Sequence, residues 1–309
     1  MHPRSMSYRG RFAPSPTGPL HFGSMIAAVG SFLQAKSRGG EWLVRMEDID
    51  PPREVPGAAN DILRTLEAFG LHWDGAVMYQ SCRHGVYEAA LKMLERLDAI
   101  YPCACSRREI ADSSVSGVDG PVYPGTCRVG LPAGRAPRAW RVKVNGRAIE
   151  FVDAVQGRVV RDLAADFGDF VVRRADGYFA YQLAVVVDDA EQGISEVVRG
   201  ADLIESTPRQ MHLQNLLGLP TPDYLHLPVA LSKEHEKLSK QTFAAPADIA
   251  RPVPMLYQVL RFLGQDTPPA LAESNLDDFW RWAVAHWRLE RVPRVPGVVV
   301  ETTGGLGDA

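Results

Sequence analysis

Three short runs hold the side chains best suited to chemistry. Residues 14–24 read PSPTGPLHFGS. A Gly/Pro-rich loop that opens onto a helix brings backbone N–H groups and the positive end of the helix dipole to one point, which suits phosphate. Thr17, Gly18, His21, Gly23 and Ser24 are the candidates for that contact. His21 can donate a hydrogen bond to a phosphate oxygen as charge builds there. Residues 237–241 read KLSKQ, with Lys237 and Lys240 flanking a small hydroxyl residue, and two ammonium groups suit a departing pyrophosphate. Taken alone, such a Lys pair is ordinarily a solvated surface. The third run is cysteine: Cys103, Cys105 and Cys127 crowd into one stretch, while Cys82 stands apart as a small residue expected to be packed. Clustered thiols point to a metal, and Zn²⁺ needs four donors, one more than three thiolates supply. The nearest histidine, His84, belongs to the preceding helix.

These runs need a frame. Residues 9–13 read as a strand and 24–36 as a helix stopped by Gly39 and Gly40. Residues 42–46 form a buried strand, 54–69 a helix and 87–97 another. That order predicts an α/β fold with a parallel sheet, whose ligands sit at strand C-terminal ends. From residue 100 to about 165 short alternating segments rich in Gly and Pro replace this pattern, and they carry the cysteines. The α/β pattern returns at 170–174, 179–187 and 195–198, followed by helices at 206–217, 246–263 and 276–287.

The chain has 309 residues, 46% apolar and 23% charged, with net charge −3. This is an ordinary globular composition, with no global basic signal for nucleic acid, although a local basic groove suffices for RNA. No stretch is long and apolar enough for a membrane span or a signal peptide, so the expectation is a cytoplasmic protein with no membrane partner.

The run RFAPSPTGPLHFGS (11–24) resembles the first signature of the glutamyl-tRNA synthetase family of class I. VRMEDIDPPRE (44–54), VVVDD (185–189), VVRGADLIEST (197–207) and KLSKQ are similar to later blocks in the same order. Ser24 where a second His is usual, the block EDIDPPREVPGAA (47–59) and the length near 300 residues are more similar to the short branch that modifies queuosine in tRNA(Asp). The resemblance implies a Rossmann-like class I synthetase catalytic domain with a zinc-bearing insertion and a short helical C-terminal region. The expected boundaries are 9–99 and 166–245 for the two catalytic halves, 100–165 for the insertion and 246–299 for the helices.

It also implies the ligands. A pocket for L-glutamate needs an acid for the ammonium and guanidinium for carboxylate. Arg11, Glu47 and Arg199 supply those types from three strand ends, with Ser15 and Tyr181 adding neutral hydrogen bonds. The family's glutamate-binding residues map onto Arg11, Phe12, Ala13, Pro14 and Ser15, and onto Glu47, Tyr181 and Arg199. Glu47 is expected to hold the ammonium. His21, Lys237 and Lys240 are the expected catalytic groups, acting on ATP with Mg²⁺, and Lys240 also binds ATP with the first loop. Asp188 and Asp189 can hold Mg²⁺ or shape their loop. The family's zinc site makes Tyr123 the fourth ligand beside the three cysteines, in a structural role. The expected reaction is glutamyl-adenylate formation and transfer to queuosine at the wobble position of tRNA(Asp), by a monomer. Charging of a tRNA 3′ end and a non-catalytic relative are the competing readings.

Overall fold

The computed structural model of the chain describes residues 8–233, 236 and 246–300. β1 (Arg9–Phe12) and β2 (Glu41–Met46) pair in parallel, Arg9 opposite Glu41, through the crossover helix α1 (Phe22–Lys36). α1 is buried on nearly every side, so it behaves as a core helix rather than an amphipathic surface one. Gly30 lets it approach closely, since a Cβ there would sit 2.4 Å from Leu227 Cδ1. α2 (Ala58–Ala68) starts later than expected, because Gly57, at φ +84°, interrupts the run from residue 54. β3 (Met78–Tyr79) adds in parallel to β2, and α3 (His84–Arg96) follows.

The next stretch changes architecture, and the change runs past residue 165 to include Phe170–Arg173, which the sequence pattern assigns to the returning α/β part. β4 (Ile100–Cys103) leads into α4 (Arg107–Ser113) and the hairpin of β5 (Val115–Gly117) and β6 (Gly120–Val122). β7 (Ala139–Val142) then precedes a second hairpin, β8 (Ala148–Asp153) with β9 (Gly157–Asp162), the short α5 (Leu163–Asp166), and β10 (Phe170–Arg173). β7 lies between β4 and β10, antiparallel to both.

The apolar run 179–187 is helical from Tyr181, in α6 (Tyr181–Glu191). β11 (Glu196–Gly200), α7 (Thr207–Leu217) and β12 (Asp223–Leu227) repeat the parallel strand–helix–strand unit. Ser195, at the foot of β11, donates its N–H to Arg9 O at 2.9 Å and its Oγ accepts Arg9 N–H, also at 2.9 Å. The two parallel pairs therefore begin side by side, and β1, β2 and β11 end on one side of the molecule. β13 (Val229–Leu231) follows. The C-terminal part holds α8 (Pro252–Phe262), α9 (Leu276–His286) and β14 (Gly297–Val299), which pairs in parallel with β13. α8 begins six residues after the expected position, with Pro252 in its first turn, where a missing N–H is harmless. Two buried indoles lock these helices down: Trp287 Nε1 donates to Gln34 at 2.9 Å and Trp280 Nε1 to Phe69 O at 2.8 Å. Among the described residues no helix is long and apolar enough to cross a membrane.

Candidate active site

A cavity of about 840 Å³ opens where β1, β2 and β11 end. Open parallel sheets bind ligands at such strand ends. The loop after β1 forms one wall, and it turns through Gly18 at φ +132°, a backbone conformation that favours glycine. Thr17 and Gly23 line the wall, while Gly18 shapes the turn. His21 caps α1: its Nδ1 accepts Gly23 N–H at 3.1 Å, which leaves the ring proton on Nε2. Ser24 Oγ accepts His21 N–H at 2.7 Å and donates to His21 O at 2.8 Å. Its hydroxyl is thus engaged at the helix start while Ser24 also lines the cavity wall. After the segment 237–245 the chain returns to this loop, with Ala247 N–H on Leu20 O at 2.9 Å and Pro246 bridged to His21. Lys237 and Lys240 themselves lie outside the described residues.

Below the cavity runs a buried ionic network. Arg11 grips Asp189 through Nε at 3.0 Å and Nη2 at 3.2 Å, leaving Nη1 outside that pair. Arg45, fully buried, reaches Asp189 at 2.8 Å and donates to Glu47 Oε1 at 3.3 Å. The Pro14 carbonyl accepts Glu47 N–H at 3.0 Å and holds this acid beside the first loop, where Ser15 also lines the wall. Burial pushes the Glu47 carboxyl above its usual range, an effect that Arg45 and Arg11 only partly offset. Burial works on Asp189 too, yet Arg11 and Arg45 outweigh it and hold its carboxyl low. Asp188 accepts from Gln80, Arg83 and Tyr87. Both aspartates are engaged by the protein itself, and they lie within α6 rather than in the expected loop.

Arg199 faces the cavity differently. Nε donates to His226 Nε2 at 3.0 Å, Nη1 to the Tyr181 hydroxyl at 3.1 Å and Nη2 to Thr207 Oγ1 at 2.8 Å. All three partners are neutral, and Arg199 is only 5% exposed. A buried guanidinium without a carboxylate among the described residues favours an anionic ligand. Phe12 lines the cavity but stacks on Trp42, centroids 6.3 Å apart, and belongs to the core as much as to the wall. At the mouth, Asp50 pairs with Arg53 and with Arg174, and Asp48 accepts both donors of Ser81.

The cysteines stand away from this cavity. The Sγ atoms of Cys103, Cys105 and Cys127 all lie within 4.8 Å of one another. The Tyr123 hydroxyl is 3.4 Å from Cys103 Sγ and 3.6 Å from Cys105 Sγ, and it accepts Cys127 N–H at 2.9 Å. The Arg141 guanidinium lies 3.9 Å over the Tyr123 ring. Three thiols can hold a metal here, and the phenol oxygen lies beside them. Cys82 is exposed, which corrects the expectation of a packed residue: it sits in a single turn at the foot of α3, not on an apolar face.

Sequence reasoning missed Arg45, Thr207, His226 and the pairing of Asp189 with Arg11. Arg45 sits within the recognised block 44–54, and only its position two residues before Glu47 hinted at it.

Comparisons with known proteins agree on the frame. The family of tRNA synthetases class I (E and Q), catalytic domain, matches residues 7–250. A glutamyl-Q tRNA(Asp) synthetase of Dechloromonas aromatica is 61% identical over 289 residues, 93% of this chain and 96% of the relative. One from Chromobacterium violaceum is 58% identical, covering 94% and 96%. Among solved structures, a glutamate tRNA ligase from Elizabethkingia meningosepticum is similar with a TM-score of 0.78 at 26% identity, over 95% of this chain and 67% of that one.

Proposed function

The chain belongs to the tRNA synthetases class I (E and Q), and with that as premise we propose that it activates glutamate with ATP and glutamylates queuosine in tRNA(Asp). The observation that carries this reading is Arg199, a buried guanidinium whose hydrogen-bond partners among the described residues are neutral, facing the same cavity as the buried acid Glu47. That pair matches a carboxylate and an ammonium on one small ligand. The curated relatives are named for the same reaction.

ATP enters as its Mg²⁺ complex, its phosphates against Thr17, Gly23 and the N-terminus of α1. The glutamate ammonium sits on Glu47, with Arg199, Tyr181 and Arg11 Nη1 around its carboxylates. An α-carboxylate oxygen attacks the α-phosphorus, the bond to the bridging oxygen breaks, and pyrophosphate leaves. The chemistry asks for positioning and charge stabilisation rather than covalent participation. His21 Nε2–H and the lysines at 237 and 240 serve the transferring and departing phosphates. A queuosine hydroxyl then attacks the carbonyl and releases AMP. Cys103, Cys105, Cys127 and Tyr123 would hold Zn²⁺, which would supply a structural crosslink between β4 and the segment after β6.

The test incubates the protein with ATP, labelled glutamate and tRNA(Asp) with or without queuosine. Label that requires queuosine and survives removal of the tRNA 3′ end supports the reading. Label confined to the 3′ end of tRNA(Glu) overturns it.

A further inference from the structure

The hairpin of β8 and β9 follows the cysteine segment in sequence, yet its turn packs against β12, one residue behind Arg199 of the cavity wall. Asp153 closes β8 and is 2% exposed. Its Oδ1 accepts three backbone N–H groups, from Val155 at 3.0 Å, Gln156 at 2.8 Å and His226 at 3.1 Å. That leaves Oδ2 for His226 Nδ1, 2.6 Å away. His226, on β12, is fully buried, and Gln156 Nε2 further ties its carbonyl to the hairpin at 3.0 Å.

The hydrogen-bond chemistry fixes the protons. Arg199 Nε has only a proton to offer, so His226 Nε2, 3.0 Å away, presents a lone pair. The imidazole is then neutral, with its single proton on Nδ1, pointing at Asp153. Burial agrees, pushing His226 down to about 4 although Asp153 works the other way. Arg11 offers the contrast: two of its nitrogens are spent on a carboxylate.

We propose that Asp153 and His226 are positioning residues, a relay that orients Arg199 for a ligand carboxylate without neutralising it. A direct Asp–Arg pair would fix the guanidinium but cancel its charge. A neutral imidazole between the two fixes Nε and keeps the carboxylate one ring away, so among the described residues Nη1 and Nη2 donate to Tyr181 and Thr207. This rests on the reading of the cavity as a glutamate site.

Asp153→Asn is the sharpest probe. Its amide oxygen must stay with the three backbone donors, so its NH₂ group faces His226 Nδ1. The ring then takes the other tautomer and turns Nε2–H against Arg199 Nε–H, the kind of misorientation that a triad Asp→Asn change produces. In glutamate-dependent pyrophosphate exchange the KM for glutamate rises about tenfold to a hundredfold, the worth of one misaligned hydrogen bond to a charged group. The KM for ATP and the melting temperature change little. His226→Gln, whose carbonyl can replace the lone pair, retains more glutamate affinity than His226→Leu. Nitrogen-15 NMR of the wild-type protein shows the Nδ1–H tautomer at His226, and the Nε2–H form in Asp153→Asn. A folded Asp153→Asn with unchanged glutamate KM overturns the relay, and so does an Nε2–H signal in the wild type. Absence of glutamate-dependent exchange in the wild type overturns the glutamate reading instead, and the tautomer still decides the relay.

Discussion

Tyr123 and Gly168 lie side by side in a parallel bridge, so close that a Cβ on Gly168 would sit 2.7 Å from the Tyr123 carbonyl oxygen. Gly168 also has φ +67°. Both constraints act on the backbone that presents the phenol to the cysteines. Gly168→Ala is expected to destabilise the protein by about 1 kcal/mol or more and to weaken metal retention. Thermal melts with and without chelator check it; a variant that melts and holds metal like the parent contradicts the placement.

Tyr123→Phe removes the one oxygen among three thiols. Loss of outer partners alone lowers metal affinity roughly 10–100-fold, and loss of a direct ligand is expected to do no less. Competition with a chromophoric chelator measures it. Equal affinity in variant and parent would remove Tyr123 from the ligand set.

Glu47 gives a pH dependence with a definite sign. Burial raises its carboxyl, whereas a ligand ammonium needs the ionised form. Glutamate affinity is therefore full above the raised value and falls as pH drops through it, at a pH higher than an exposed glutamate would show, with proton release on binding. Titration calorimetry in two buffers of different ionisation heat reads that proton. Glu47→Gln is expected to abolish the release and weaken binding; a flat profile in the parent would count against the ammonium role.

Arg45 holds two buried acids at once. Arg45→Met leaves Asp189 and Glu47 short of a partner, and breaking a buried pair this way costs about 3–5 kcal/mol. Urea denaturation measures it. A loss under about 1 kcal/mol, the range of surface pairs, would mean that the network is far more hydrated than its burial indicates.

Ser24→Ala removes both hydrogen bonds between Ser24 Oγ and the His21 backbone, while His21 Nδ1 keeps the Gly23 N–H. A lost cap of this kind costs about 1 kcal/mol. The KM for ATP is expected to rise with it, because His21 loses its fixed backbone. Steady-state kinetics at saturating glutamate separates the two effects.

The parts readable from sequence are those encoded locally. The loop between β1 and α1, the crossover to β2 and the spacing of the cysteines all lie within short stretches, so residue type and order announce them. Helix starts slipped where one backbone feature decides, as at Gly57 before α2. Charge pairing was beyond reach for a different reason. Arg11 and Asp189 are 178 residues apart, and Asp153 and His226 are 73 apart. A sequence shows that arginines and acids are present, but only the folded sheet decides which charges cancel and which stays available.

The parallel pairing of β13 with β14 sets an order of events during synthesis. β13 leads into the segment that carries both signature lysines, yet its partner strand is translated only after α8 and α9. A nascent chain can therefore pair β1 with β2 around α1 long before β13 has its partner strand. The strand that completes the edge beside β13 is thus the last piece of the fold to be made, after both parallel pairs around α1 are complete in sequence.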